Sequence, residues 1–231
     1  MSNAQNKSPL MGEHMALKYL VKEPAKKTEQ THLILLLHGY GSNEADLFSL
    51  AAQLPGDELI VAARAPITLS DNSYAWYNMN FTGGSAPNHN KEEAEKARLI
   101  ILKFIDQLTT KYKIHPGNVV LLGFSQGTIM SYSIGLTQPD KVKGIIALSG
   151  RILPEIKDKI ANNTQLKKLP FFIAHGTKDN VLPINNGRDA KTYMEGLKLK
   201  IAYHEYDMAH QILPQELKDI NDWLATLLKT K

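Results

Sequence analysis

The segment Val119-Val-Leu-Leu-Gly-Phe-Ser-Gln-Gly-Thr128 constrains this chain more than any other, because it runs a buried strand straight into a Gly-X-Ser-X-Gly turn. The residues from Val119 to Leu122 are branched and apolar with no polar face, the pattern of a strand covered on both sides. A serine at the tip of a sharp strand-to-helix turn must take a strained backbone, which its neighbours permit only if they carry almost no side chain. Gly123 and Gly127 meet that demand. The helix that follows carries Ile129, Met130, Ile134 and Leu136, while Gly127, Ser131 and Gly135 recur at helical spacing as a strip of small residues that permits close approach to a sheet. Ser125 is therefore the candidate nucleophile, and the first free amides of the helix fall beside its oxygen.

Such a serine needs a base, an orienting acid and a second oxyanion donor from elsewhere in the chain. Composition narrows the alternatives. The chain has 231 residues, 43% of them hydrophobic, enough for the core of one large α/β domain. It has no cysteine, which excludes disulfides, thiolate metal sites and a cysteine nucleophile, so an acyl-transfer nucleophile has to be a hydroxyl. The net charge of +4 comes from lysines scattered without a dense basic run, which argues for solubility and against a nucleic-acid partner. No apolar run reaches membrane-spanning length and the N-terminus lacks the apolar stretch of a signal peptide, so a cytoplasmic protein without integral membrane association is expected. Met1-Ser-Asn-Ala4 has the look of an expression scar; a disordered segment over residues 1–16 and a single domain over 17–231 are expected.

After an extended piece at Tyr19–Lys22, His32–Leu37 is a continuous apolar run that ends in His38-Gly-Tyr-Gly41, a turn suited to aim the Tyr40 amide at a ligand. Asn43 caps a helix with Leu47, Leu50, Ala51 and Leu54 on its inner face. A second buried strand spans Glu58–Ala63. The stretch from Ile67 to about His89 reads as a long loop whose Tyr74, Trp76, Tyr77 and Phe81 form a wall of a substrate groove or pin the loop to the core. Asn90 and Glu93 resemble a capping box opening a long helix buried through Ala97, Ile100, Ile101, Phe104 and Leu108. Beyond the elbow come a strand over Val142–Leu148 and a connection too short for a large lid. A strand at Phe171–Ala174 then ends in His175-Gly-Thr-Lys-Asp179, and a strand over Ile201–Tyr206 leads into a loop with His210. Pro214 opens a final helix. Strands alternating with helices imply a mostly parallel sheet covered on both faces, with ligands at the carboxyl ends of the strands. Tyr40, Ser125, Asp179 and His210 each fall just after a strand.

The order Ser125, Asp179, His210 is that of nucleophile, acid and base in an α/β-hydrolase. The imidazole would take the serine proton, the carboxylate would hold its tautomer, and the backbone amides of Tyr40 and Gln126 would receive the oxyanion. His38 and His175 are read as structural hydrogen-bonders that shape their turns. Asp207 competes for the acid role through its nearness to His210, and Asp179 is preferred for its place after the preceding strand. No metal-ligand spacing of the His-Glu-X-X-His kind occurs, so no metal is expected.

His38-Gly-Tyr-Gly41, Gly123-Phe-Ser-Gln-Gly127, His175-Gly-Thr-Lys-Asp179 and Ala209-His210 together resemble the carboxylesterase/phospholipase family of α/β-hydrolases, which includes bacterial esterases and acyl-protein thioesterases. The resemblance covers nearly the whole chain from about Leu17. It implies hydrolysis of short-to-medium acyl esters or thioesters without a cofactor, on a small-molecule substrate. It also places Trp76, Tyr77 and Leu153, the last just beyond Ser149-Gly150, beside the acyl groove. Homodimers occur among similar proteins, with no interface patch legible in this sequence. Thr128 stands where the family commonly has a further glycine, and the Tyr74–Asn90 loop is polar for an acyl-binding wall.

Overall fold

The computed structural model describes residues 15–80, 88–162 and 164–229. Strands β1 (Tyr19–Lys22) and β2 (Leu33–Leu37), helix α1 (Glu44–Phe48) and strand β3 (Leu59–Ala63) come first. Two small hairpins follow, β4 (Ile67–Ser70) with β5 (Ser73–Ala75) and β6 (Met79–Asn80) with β7 (Asn88–His89), and then α2 (Lys91–Lys111). From there strands and helices alternate: β8 (Val119–Phe124), α3 (Gln126–Thr137), β9 (Gly144–Leu148), α4 (Thr164–Lys168), β10 (Pro170–Gly176), α5 (Asn185–Gly196), β11 (Lys200–Tyr206) and α6 (Pro214–Leu227). The main sheet runs β1-β3-β2-β8-β9-β10-β11, parallel throughout except for β1 on the edge. This is the mostly parallel sheet that the alternation implies.

The pleat sorts the core into two layers. Leu33, Leu35 and Leu37 of β2 face α2, α3 and α5, whereas Ile34 and Leu36 face α1 and α6. The chain leaves β2 for β3 on one side and later returns to place β8 on the other, so the strand order reverses between β2 and β8. Open α/β sheets bind ligands outside the carboxyl ends of the strands at such a point. The His38–Gly41 turn and the serine elbow both lie there.

Close approach of α3 to the sheet depends on its small residues. A Cβ on Gly127 would lie 1.8 Å from the Leu37 carbonyl oxygen, and one on Gly135 would lie 2.8 Å from the Ile145 side chain. Thr128, the residue that departs from the family pattern, is wholly buried and acts as a tie. Its hydroxyl lies 2.7 Å from the Gly123 carbonyl and 2.6 Å from that of Leu148, and it accepts the Leu148 N–H.

Several local expectations are revised. The stretch after Ile67 is two hairpins, the first turned by Asn72 in the left-handed region at φ 56°. Phe81 lies outside the described residues. The helix capped by Asn43 is short: the Asn43 side chain accepts from Ala45 N at 2.9 Å, but after Phe48 the chain tightens into a 3₁₀ turn over Ser49–Ala52. Asn90 caps α2 by accepting from Glu93 N, yet no reciprocal box forms. The Glu93 carboxylate instead takes the backbone and side-chain N–H groups of Asn78, and Asn90 N donates to Asn78 O, which clasps the second hairpin to α2. Of the N-terminal segment, residues 1–14 lie outside the described residues, while Met15 and Ala16 already pack on the core and Ala16 N donates to Gln107 Oε1 at 2.7 Å.

Glu216, in the first turn of α6, is fully buried; its Oε2 accepts from Leu213 N at 3.3 Å, and its Oε1 is without a partner among the described residues. Burial pushes its pKa up to about 8, with the charge of Asp219 adding to the shift. A carboxyl whose folded pKa is raised stabilises the fold fully below its unfolded pKa, near 4.5, and loses that contribution as pH rises toward 8. Across that window stability should fall by up to about 1.4 kcal/mol per pH unit on account of this group. Urea denaturation of wild type and Glu216→Gln at pH 5 and pH 8 checks this: the glutamine variant should lose much less stability between the two, and parallel losses would contradict the assignment.

Candidate active site

Ser125 stands between β8 and α3 with φ 55° and ψ −115°, outside the relaxed regions for a residue with a side chain. The elbow is held by Ser125 N donating to Leu148 O at 2.9 Å and by Ile129 N closing the first helical bond on Ser125 O at 3.2 Å. The amides of Gln126, Gly127 and Thr128 precede that bond, at the positive end of the helix. Gly39 lies across from the serine: a Cβ there would sit 3.2 Å from Ser125 Cβ. The turn carrying Tyr40 therefore adjoins the elbow.

His210, on the loop after β11, meets Asp179, on the loop after β10, at 2.7 Å between Nδ1 and Oδ2. The Asp179 carboxylate has no exposed surface and is saturated: its Oδ1 accepts from Val181 N and Leu182 N, and its Oδ2 faces His210. His175 braces this turn from below. Its Nε2–H donates to Leu182 O at 2.7 Å and lies 3.5 Å from Asp179 Oδ2, and burial holds its pKa below the ordinary histidine value. The His210 ring packs on Phe124 with centroids 4.8 Å apart, and Phe124 is the residue before Ser125. Among the described residues no hydrogen bond joins Ser125 Oγ to His210, and the contact that links the histidine to the elbow is the one with Phe124. Apo sites commonly show this third link open. The rival acid is accounted for otherwise, since Asp207 is an exposed residue paired with Lys178 at 2.7 Å.

The groove residues need correction. Trp76 and Tyr77 have 0% exposure and belong to the core, so neither side chain can form a wall open to substrate; they pin the loop. Leu153 is also buried. It lines a cavity of about 430 Å³ with Ser133 and Ile156, but that cavity includes neither Ser125 nor His210. Sequence reasoning missed the Gln126 side chain. It is buried and spans two backbone groups, accepting from Trp76 N and donating to Tyr77 O, both at 2.8 Å. The lone signal was a polar amide in an otherwise inward-facing helix turn. His38 behaves as a structural hydrogen-bonder: Nδ1–H donates to Gly39 O and Nε2 accepts from Ala65 N, which takes the neutral ring, and burial lowers its pKa in the same sense. No cluster of three metal-ligating side chains exists among the described residues.

The sequence model of the phospholipase/carboxylesterase family matches residues 19–228. The chain belongs to that family. Among curated members, it is 31% identical over 229 residues to acyl-protein thioesterase 1 of Emericella nidulans, covering 89% of this chain and 93% of that one. It is 29% identical to the Kluyveromyces lactis acyl-protein thioesterase 1, covering 90% and 97%. Among solved structures, esterase PE8 superposes with a TM-score of 0.80 at 26% identity, covering 91% of this chain and 99% of that one. The Bacillus cereus carboxylesterase superposes at 0.79 with 22% identity, covering 91% and 94%, a likeness of fold. This member of the phospholipase/carboxylesterase family is a hydrolase with the α/β-hydrolase fold, and its described residues form no large lid domain. None of its described helices is long and apolar enough to cross a membrane.

Proposed function

We propose that this hydrolase cleaves short-to-medium acyl carboxylic esters of small molecules through an acyl-serine intermediate, with Ser125, His210 and Asp179 as nucleophile, base and orienting acid. The observation that carries the reading is the 2.7 Å contact between His210 and a fully buried Asp179, with the His210 ring packed on Phe124, the residue before a strained serine. Because Nδ1 carries the proton shared with Asp179, Nε2 is left as the acceptor that the serine hydroxyl needs. Ser125 Oγ bonds to the acyl carbon as its proton passes to Nε2, and the carbonyl oxygen takes negative charge, received by the amides of Gln126 and Tyr40. Collapse expels the alcohol, which leaves with the proton from His210. Water repeats the sequence and frees the acid. A cytoplasmic enzyme working without a cofactor fits this reading.

The buried state of Trp76 and Tyr77 supports the short end of the acyl range, because they offer no long apolar wall. Thioester cleavage is the second reading, favoured by the two acyl-protein thioesterases aligned over about nine-tenths of the chain. The same machinery serves both, so the alcohol or thiol leaving group decides. Measuring kcat/KM for p-nitrophenyl acetate, butyrate and octanoate beside matched alkyl thioesters separates them. The acetate and butyrate should be turned over fastest; a preference of tenfold or more for the thioesters would transfer the assignment to the second reading.

A further inference from the structure

Two separate turns carry the proposed oxyanion donors, Gln126 on the first turn of α3 and Tyr40 after β2, and neither is joined to the other along the chain. A run of hydrogen bonds through residues 74–77 links Gln126 to the residues that flank Tyr40. Gln126 Oε1 accepts from Trp76 N at 2.8 Å, and Gln126 Nε2 donates to Tyr77 O at 2.8 Å. The Trp76 indole N–H donates to His38 O at 2.9 Å, and His38 Nδ1–H donates to Gly39 O at 2.8 Å. Just past Tyr40, Gly41 N donates to Tyr74 O and Tyr74 N to Ser42 O, at 2.9 and 2.8 Å. Residues 74–77 thus brace the two donor turns against each other, and Gln126, Trp76 and His38 are each no more than 3% exposed.

From this we infer that the Gln126 side chain and the Trp76 indole are positioning residues, which set the spacing of the two donor amides so that they converge on the oxyanion of the transition state. The inference rests on the proposed roles of Ser125 and of the two amides. The Trp76 and Tyr77 rings already pin the loop by apolar packing, and its buried N–H and C=O groups could be satisfied by any partner. Instead, two backbone groups of the loop are spent on the residue whose own amide is a donor, and the indole is spent on the carbonyl two residues before the other. A misalignment of a few tenths of an ångström at such donors weakens only the interaction made with the developing charge.

Gln126→Met keeps the volume and removes both side-chain bonds, and Trp76→Phe keeps an aromatic ring and removes the indole donor. For p-nitrophenyl acetate, each should lower kcat about ten- to a hundredfold with KM unchanged within about twofold, since the ground-state carbonyl makes little use of the donors. Inhibition by a trifluoromethyl ketone, whose adduct with Ser125 places an anionic oxygen at the same spot, should weaken by the same factor. A folded variant whose kcat and ketone inhibition match wild type, or whose loss lies in KM or thermal stability alone, overturns the inference. If Gln126→Met fails to fold, Trp76→Phe decides alone. An inert wild type would remove the serine-hydrolase reading itself, whereas an active wild type with unaffected variants removes only the positioning role.

Discussion

Ser125→Ala is expected to lower kcat for p-nitrophenyl acetate by at least about a thousandfold, and by up to ~10⁶-fold if the triad acts as a unit as in other serine hydrolases. KM should change little, because the hydroxyl contributes to bond formation and hardly to ground-state binding. The loss should not reflect misfolding. Alanine also carries a Cβ at φ 55°, so the variant keeps the strain of the elbow along with its bonds to Leu148 O and Ile129 N. Residual activity above that in water would then report the oxyanion amides working without a nucleophile. Steady-state kinetics, paired with a urea denaturation curve showing an unchanged midpoint, check both halves of the expectation.

Asp179→Asn should be the next most damaging change, for a reason the geometry makes explicit. Asp179 Oδ1 accepts from two amides, those of Val181 and Leu182, at 2.9 and 2.8 Å. An asparagine at this position must leave its carbonyl oxygen on those donors, which turns its NH₂ toward His210. That group donates to Nδ1 and forces the ring into the tautomer with the proton on Nε2. The base is then occupied on the side that faces the serine. Loss of kcat by about 10⁴-fold is expected, on the scale seen for this substitution in other triads. Asp207→Asn is the control: its carboxylate is exposed and paired with Lys178, so activity should stay within about twofold. Equal losses in the two variants would remove the distinction drawn between them.

The sheet and the candidate triad were legible because each rests on a demand only a few residues can meet. Continuous apolar runs at Leu33–Leu37 and Val119–Leu122 admit little besides strands covered on both faces, and an elbow requires Gly123 and Gly127 where a Cβ would strike backbone at 2.5 and 1.8 Å. Chain order then put Asp179 and His210 after neighbouring strands. What was not legible depends on where single side chains turn. Glu93 could cap its own helix or reach Asn78, and the spacing is the same for either. Trp76 and Tyr77 carry ring area that suits a groove wall and a core equally; their burial is decided by the hairpins around them and by Gln126, whose amide has no sequence pattern marking its partners. Thr128, a polar residue in a tight inner position, looks like a departure until its hydrogen bonds are seen.

The central claim, that Ser125 becomes acylated, is tested most directly by trapping. The folded protein is treated with a fluorophosphonate, or quenched during turnover of p-nitrophenyl butyrate, and its proteolytic peptides are mapped by mass spectrometry. A single adduct on the peptide containing Ser125, absent from Ser125→Ala and strongly reduced in Asp179→Asn, is the result expected. An actively hydrolysing protein that carries no adduct, or carries it on another residue, would contradict the account.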